Sequence, residues 1–134
     1  MAQIKSPPSL PQFHFPRISR LAHGIFDYFF GVLIASSPWV FGFTNQHLAP
    51  QIAVVLGVIV ILYSLATDYE VGVLRFMPFS GNLFFDFVVG VALAGSPVHF
   101  AMGGKAGLVF VILGLMQIAM ALLTRRPRDS ENTN

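Results

Sequence analysis

Two aspartates stand inside apolar runs of this chain, Asp27 in "HGIFDYFFGVLIASSPWVF" and Asp86 in "NLFFDFVVGVALAGSPVHF". An unpaired carboxylate at the centre of a bilayer costs on the order of 2.5–3.5 kcal/mol on insertion scales. A chain that keeps two of them is expected to turn each toward protein and to give it a partner. His23 and Asn82 lie four residues upstream of the two acids, about one helical turn away on the same face. This set admits two chemistries. Intramembrane carboxylates can take up and pass on a proton or a cation. Alternatively, each Asp locks its own helix junction through hydrogen bonds. The second reading is favoured, because two acids are too few to outline a pathway and no Lys or Arg accompanies them in the apolar core.

Other chemistries find no residue set. The chain has no cysteine, which removes thiolate metal sites and thiol redox chemistry. His47 and His99 stand in different loops without a carboxylate nearby in sequence, so together they make an incomplete metal site. Ser37 and Ser96 are the wrong end of their helices from His23 and Asp27, roughly 15 Å along the axis at 1.5 Å per residue, so no nucleophilic triad forms. Phosphate-binding loops and nucleic-acid signals are missing, and seven of the eight basic residues flank apolar runs. The expectation is a protein without catalytic residues, cofactor or metal, and without a nucleic-acid partner.

The elements that must position the aspartates are membrane helices. Apolar types make up 54% of the 134 residues and charged types 10%, where a soluble domain carries about 25% charged. Four apolar segments can be drawn, over residues 21–37, 50–67, 82–96 and 105–124. A helix rising 1.5 Å per residue needs about 20 residues to cross a hydrocarbon core of about 30 Å. The third segment is short and is expected to extend back through "FMPFSG" or to sit in a thinner bilayer. Lys5, Arg17 and Arg20 precede the first segment, Arg75 separates the second and third, and Arg125, Arg126 and Arg128 follow the fourth. Only Lys105 falls on the other side. The positive-inside bias therefore places both termini in the cytoplasm.

Sliding the chain on itself exposes a duplication. At an offset of 59, residues 23–41 lie over residues 82–100 with eight of 19 positions identical, including Asp27/Asp86, Gly31/Gly90, Ser37/Ser96 and Pro38/Pro97. At an offset of 57, "VLGVIVILYSLAT" lies over "ILGLMQIAMALLT", matching Gly57 to Gly114 and Thr67 to Thr124. Each copy holds two segments, so both enter the membrane from the same side as parallel repeats. The fold class is all-α, a four-helix membrane bundle of two tandem two-helix repeats. His23, Asp27, Gly31 and Ala35 form one slowly winding stripe, which Asn82, Asp86, Gly90 and Ala94 repeat. Gly31, Gly57, Gly90 and Gly114 are read as sites of close helix packing.

The phrase "SSPW", with its echo "GSPV", is read as a boundary device. Proline disfavours helical geometry in the residue before it, which makes Ser37 and Ser96 helix stops ahead of Pro38 and Pro97. Each Ser is expected to cap a following short turn, and Trp39 to rest as an anchor at headgroup level.

The stretch "RLAHGIFDYFFGVLIASSPWVFGF" resembles the signature of the SPW-repeat family of small bacterial membrane proteins. The resemblance covers roughly residues 20–124, is specific in the first copy and weaker in the second, where Val98 replaces the Trp. It implies a multi-pass protein of the bacterial inner membrane and supplies no reaction. The expected organisation is a Pro-rich disordered lead-in over 1–19, repeat units over 20–72 and 73–124, and a polar disordered tail over 125–134. The expected function is structural, accessory or interaction-type, in contact with the lipid bilayer and with a second copy or another membrane protein. The alternative is a small transporter or channel that uses Asp27 and Asp86.

Overall fold

The computed structural model describes residues 17–124; the expectations for residues 1–16 and 125–134 lie outside them. Four helices follow in order: α1 (Arg20–Val40), α2 (Ala49–Ala66), α3 (Phe79–His99) and α4 (Gly104–Leu123). By length and composition α2, α3 and α4 can each cross a membrane. α1 is as long as α3, at 21 residues each, and carries Arg20, His23 and Asp27 toward one end. The third helix does extend backward, to Phe79, and forward to His99.

Packing is concentrated within the pairs α1·α2 and α3·α4, and glycine explains why. A Cβ placed on Gly57 would sit 2.4 Å from the Ala35 backbone nitrogen and 2.6 Å from the Gly31 carbonyl oxygen. A Cβ on Gly114 would sit 2.5 Å from the Ala94 nitrogen and 2.6 Å from the Gly90 oxygen. The four matched glycines thus bring backbone against backbone twice, once in each hairpin. A core of Phe30, Ile34, Val60, Val89, Leu93 and Phe110 fills the space between the hairpins. Large apolar side chains such as Phe29, Leu62, Phe84 and Leu115 point outward, as lipid-facing positions require.

The two junctions between hairpins are also equivalent. Met77 donates its N–H to the Ala66 oxygen at 2.9 Å, and Ile18 donates to the Leu123 oxygen at 3.1 Å. Single bridges Thr67↔Met77 and Ile18↔Thr124 accompany them. Residues 17–19, assigned to the lead-in from sequence, are therefore held against the end of α4. Both ends of the described chain and the α2–α3 connection lie at one end of the bundle. The short α1–α2 and α3–α4 loops meet at the other, where Gly104 faces Gln46.

The helix-stop reading of Ser37 and Ser96 is corrected: α1 runs on to Val40 and α3 to His99, with Pro38 and Pro97 inside. A proline near the end of a helix removes only its own N–H and leaves one carbonyl, four residues back, without that bond. For Pro38 that carbonyl belongs to Ile34, and the Ser37 hydroxyl donates to it at 2.7 Å. Ser96 donates to the Ala92 oxygen at 2.5 Å. The helices end instead one turn later. Phe43 donates to the Pro38 oxygen and Met102 to the Pro97 oxygen, each at 2.9 Å, the six-to-one bond of a Schellman ending. The left-handed residue this ending requires is Gly42 in the first copy, at φ 70, and Ala101 in the second, at φ 51. Phe43 then turns back into the core and packs edge-on against Phe110. Trp39 remains 65% exposed.

Candidate functional site

The stripe that begins at His23 splits its work as it winds around α1. Gly31 and Ala35 face α2 within the hairpin, whereas His23 and Asp27 face the second hairpin. α3 does the same with Gly90 and Ala94 against α4, and with Asn82 and Asp86 toward α1. The four polar residues read from sequence therefore meet in one cluster between the repeats. All four are buried, none more than 2% exposed.

Its geometry is closely connected. His23 Nε2 lies 2.8 Å from Asp86 Oδ2 and 3.2 Å from Asp27 Oδ1. The Asn82 amide nitrogen donates to Asp27 Oδ2 at 2.8 Å and to Asp86 Oδ2 at 3.0 Å. Asn82 Oδ1 accepts from the Thr67 hydroxyl at 2.8 Å. His23 Nδ1 is 2.8 Å from Thr124 Oγ1. The matched threonines thus flank the matched His and Asn, one at each junction between hairpins.

The two aspartates differ in what else reaches them. Asp86 Oδ1 accepts from the Tyr63 hydroxyl on α2 and from the Gln117 amide on α4 at 2.6 Å. Asp27 Oδ2 has the Tyr69 hydroxyl from the α2–α3 connection, at 3.4 Å. Burial pushes the Tyr69 phenol up from its ordinary range, so that it stays protonated and able to donate. Its ring lies over Gly24, where an added Cβ would meet it at 1.8 Å. Phe79 closes the same end, edge-on to the His23 ring and beneath the Arg20 guanidinium. Arg20 itself donates to the Asp68 carbonyl at 2.6 Å.

Each aspartate therefore joins elements of both repeats, which differs from the expectation that each would lock its own helix junction. Tyr63 and Thr67, both on the α2 side of the cluster, take part as well. Sequence reasoning missed Gln117, Tyr69 and the role of Thr124. Gln117 carried a legible signal, as a lone amide in the apolar run of α4. Tyr69 carried none, because its place depends on how the connection folds back. Trp39, His47 and His99 stand toward the opposite end of the bundle and do not join the cluster. The described grooves, such as that lined by Ser80, Leu83, Phe84 and Leu122, open on the outer surface.

Chemically, the cluster holds a buried imidazole between two carboxylates, with amides and hydroxyls satisfying the remaining atoms. Such a group can lock helices together, hold a proton, or ligate a cation.

The model of the SPW repeat domain matches residues 21–124 of the chain, and the chain belongs to that family. No curated protein and no solved structure matches it.

Proposed function

We propose that this multi-pass membrane protein works as a structural or accessory component of the bacterial inner membrane, with both termini cytoplasmic and without catalysis of its own. The observation that carries the reading is the closure of the polar cluster. His23, Asp27, Asn82 and Asp86 are nearly fully withdrawn from solvent, and their polar atoms are used on one another and on Tyr63, Thr67, Gln117 and Thr124. A transport path needs its carboxylates to reach water from one side and then the other. Here they serve as the polar clasp between two hairpins that are otherwise joined by apolar packing and by the backbone bonds at the two junctions. Partial satisfaction would be worse than none in such a medium, which favours a complete network with a holding role.

The orientation rests on Arg17, Arg20 and Arg75 lying at the clasp end and Lys105 at the other. α1 is placed across the membrane with the others because it is the repeat equivalent of α3. The apolar outer faces meet lipid, a second copy or another membrane protein.

The test is reconstitution of the full chain into vesicles that hold a pH-sensitive dye under an imposed proton gradient. Vesicles with and without protein are expected to lose the gradient at the same rate. A protein-dependent leak that disappears in Asp27→Asn or Asp86→Asn would establish proton or cation handling and overturn the reading.

A further inference from the structure

Four groups in the clasp converge on one point: His23 Nε2, Asp27, Asp86 Oδ2 and the side-chain amide of Asn82. His23 Nε2 is 2.8 Å from Asp86 Oδ2, 3.2 Å from Asp27 Oδ1 and 3.2 Å from the Asn82 amide. Ligand atoms of His23, Asp27 and Asp86 all fall within 4.8 Å of one another. A tetrahedral ion with bonds of about 2.0–2.1 Å spaces its ligands at roughly 3.3–3.4 Å. Reaching that spacing requires His23 Nε2 to draw back by about 0.5–0.6 Å from Asp86 Oδ2 and by about 0.1–0.2 Å from Asp27 Oδ1.

The hydrogen positions point the same way. Thr124 has one hydroxyl hydrogen, directed at the Met120 carbonyl at 2.6 Å. It must then accept from His23 Nδ1, which fixes the proton on Nδ1 and aims Nε2 into the cluster. A ring nitrogen that donates outward while the other faces carboxylates is the arrangement of metal-bound histidines. Thr67 repeats the pattern, with its hydroxyl 2.7 Å from the Tyr63 carbonyl. If Thr67 uses its hydrogen there, as Thr124 does, it accepts from the Asn82 amide nitrogen. The two ends of an amide have the same shape, so Asn82, which here donates to both carboxylates, can turn over on ion binding and direct its oxygen at the convergence point as a fourth ligand. Tyr63 and Gln117 both bind Asp86 Oδ1, leaving Oδ2 for the site.

Charge completes the case. Two carboxylates and a neutral imidazole carry a net charge of −2, which one divalent cation cancels. The hydrogen bonds and ion pairs described for Asp27 and Asp86 include no Lys or Arg.

We infer that His23, Asp27, Asn82 and Asp86 form a buried site for one divalent first-row transition ion, with Thr124, Thr67, Tyr63 and Gln117 orienting the ligands. One imidazole and three oxygen donors suit Zn2+ or Mn2+ rather than a soft monovalent ion. The site goes beyond the holding role proposed above, since the clasp can close with protons alone.

The full chain, purified in detergent and stripped with a chelator, is incubated with Zn2+, passed through gel filtration and assayed for metal. About one ion per chain is expected, as a single closed site requires. Asp27→Asn and Asp86→Asn are expected to lose it, while a His47→Ala/His99→Ala variant keeps it. Thr124→Val is expected to bind about 10- to 100-fold more weakly, as a positioning residue does. Co2+ loaded into the wild type should give the intense visible bands of a tetrahedral nitrogen and oxygen site, a readout that holds even if the aspartate variants do not fold. No retained Zn2+, ion lost only with the loop histidines, or a weak octahedral Co2+ spectrum would each overturn the site. If wild type retains no ion while Asp86→Asn still lowers stability, the metal site fails and the clasp stands.

Discussion

Asp27 and Asp86 hold equivalent places in the two hairpins but are held differently. Asp86 is bonded from three other helices, through His23, Tyr63 and Gln117. Asp27 has His23, Asn82 and a longer contact from Tyr69 in a connecting segment. The duplication accounts for the difference residue by residue. The equivalent of Tyr63 is Met120, and the equivalent of Gln117 is Val60. The backbone frame is thus duplicated closely, with glycines, threonines and junction bridges in matched places, while the polar dressing has diverged. Asp86 became the hub of the cluster and Asp27 its rim.

The largest effect expected from this asymmetry is on stability. Asp86→Ala strips a partner from four buried groups, His23, Tyr63, Asn82 and Gln117, and should cost about 3–5 kcal/mol, as breaking a buried charged network does. Asp27→Ala should cost less, about 1–3 kcal/mol. Denaturant or thermal unfolding in one detergent compares the two directly, and equal costs would remove the distinction between hub and rim. Tyr63→Phe and Tyr69→Phe sharpen it further. The first deletes a bond to a buried carboxylate and should cost about 1.5–3 kcal/mol, the second under about 1 kcal/mol.

The glycines test where the copies have stayed alike. Gly57→Ala and Gly114→Ala each push a Cβ onto a neighbouring backbone nitrogen, and should cost a similar amount, about 1–3 kcal/mol. Gly95→Ala meets nothing within 4 Å, and the helical preference for Ala over Gly should make it neutral or stabilising by up to about 1 kcal/mol. Unequal losses at Gly57 and Gly114 would show that the hairpins pack differently after all. A smaller effect is expected where one copy keeps an unfavourable residue. Ala101 occupies the left-handed position that Gly42 takes in the first copy. Ala101→Gly should therefore stabilise, by about 1 kcal/mol or less, as relief of a left-handed non-glycine residue is partly offset by glycine's chain entropy. The same change at the equivalent site is already present, so no gain remains there.

Much of this architecture is legible before any coordinates. The matched Asp, Gly and Ser-Pro residues give the two hairpins, and the rule that polar groups in lipid need partners marks His23, Asp27, Asn82 and Asp86. What sequence does not reveal is that the two sets become one. The i, i+4 spacing puts His23 beside Asp27 on a single helix, but whether that face meets its own hairpin or the other depends on the crossing of helices. The winding of the stripe settles it, turning the small residues inward to the hairpin and the polar ones across. The Ser-Pro phrase does not stop the helices because a proline this near the end removes one backbone bond only; in α1 Ser37 supplies a hydroxyl to the carbonyl that Pro38 leaves open, while in α3 Ser96 bonds the Ala92 oxygen instead. Phe43 and Tyr69 lie in connections, where periodicity gives no guide to which side chain folds back.

The central claim is that the cluster couples the repeats across their interface. A double-mutant cycle between His23→Ala and Asp86→Ala, measured by equilibrium unfolding of the full chain, addresses it most directly. The two residues come from different hairpins, 63 positions apart in sequence, and touch only if the clasp is shared. A coupling energy of about 0.5–3 kcal/mol is predicted. Costs that add within about 0.3–0.5 kcal/mol, as for independent sites, would contradict a shared clasp and return each aspartate to its own hairpin.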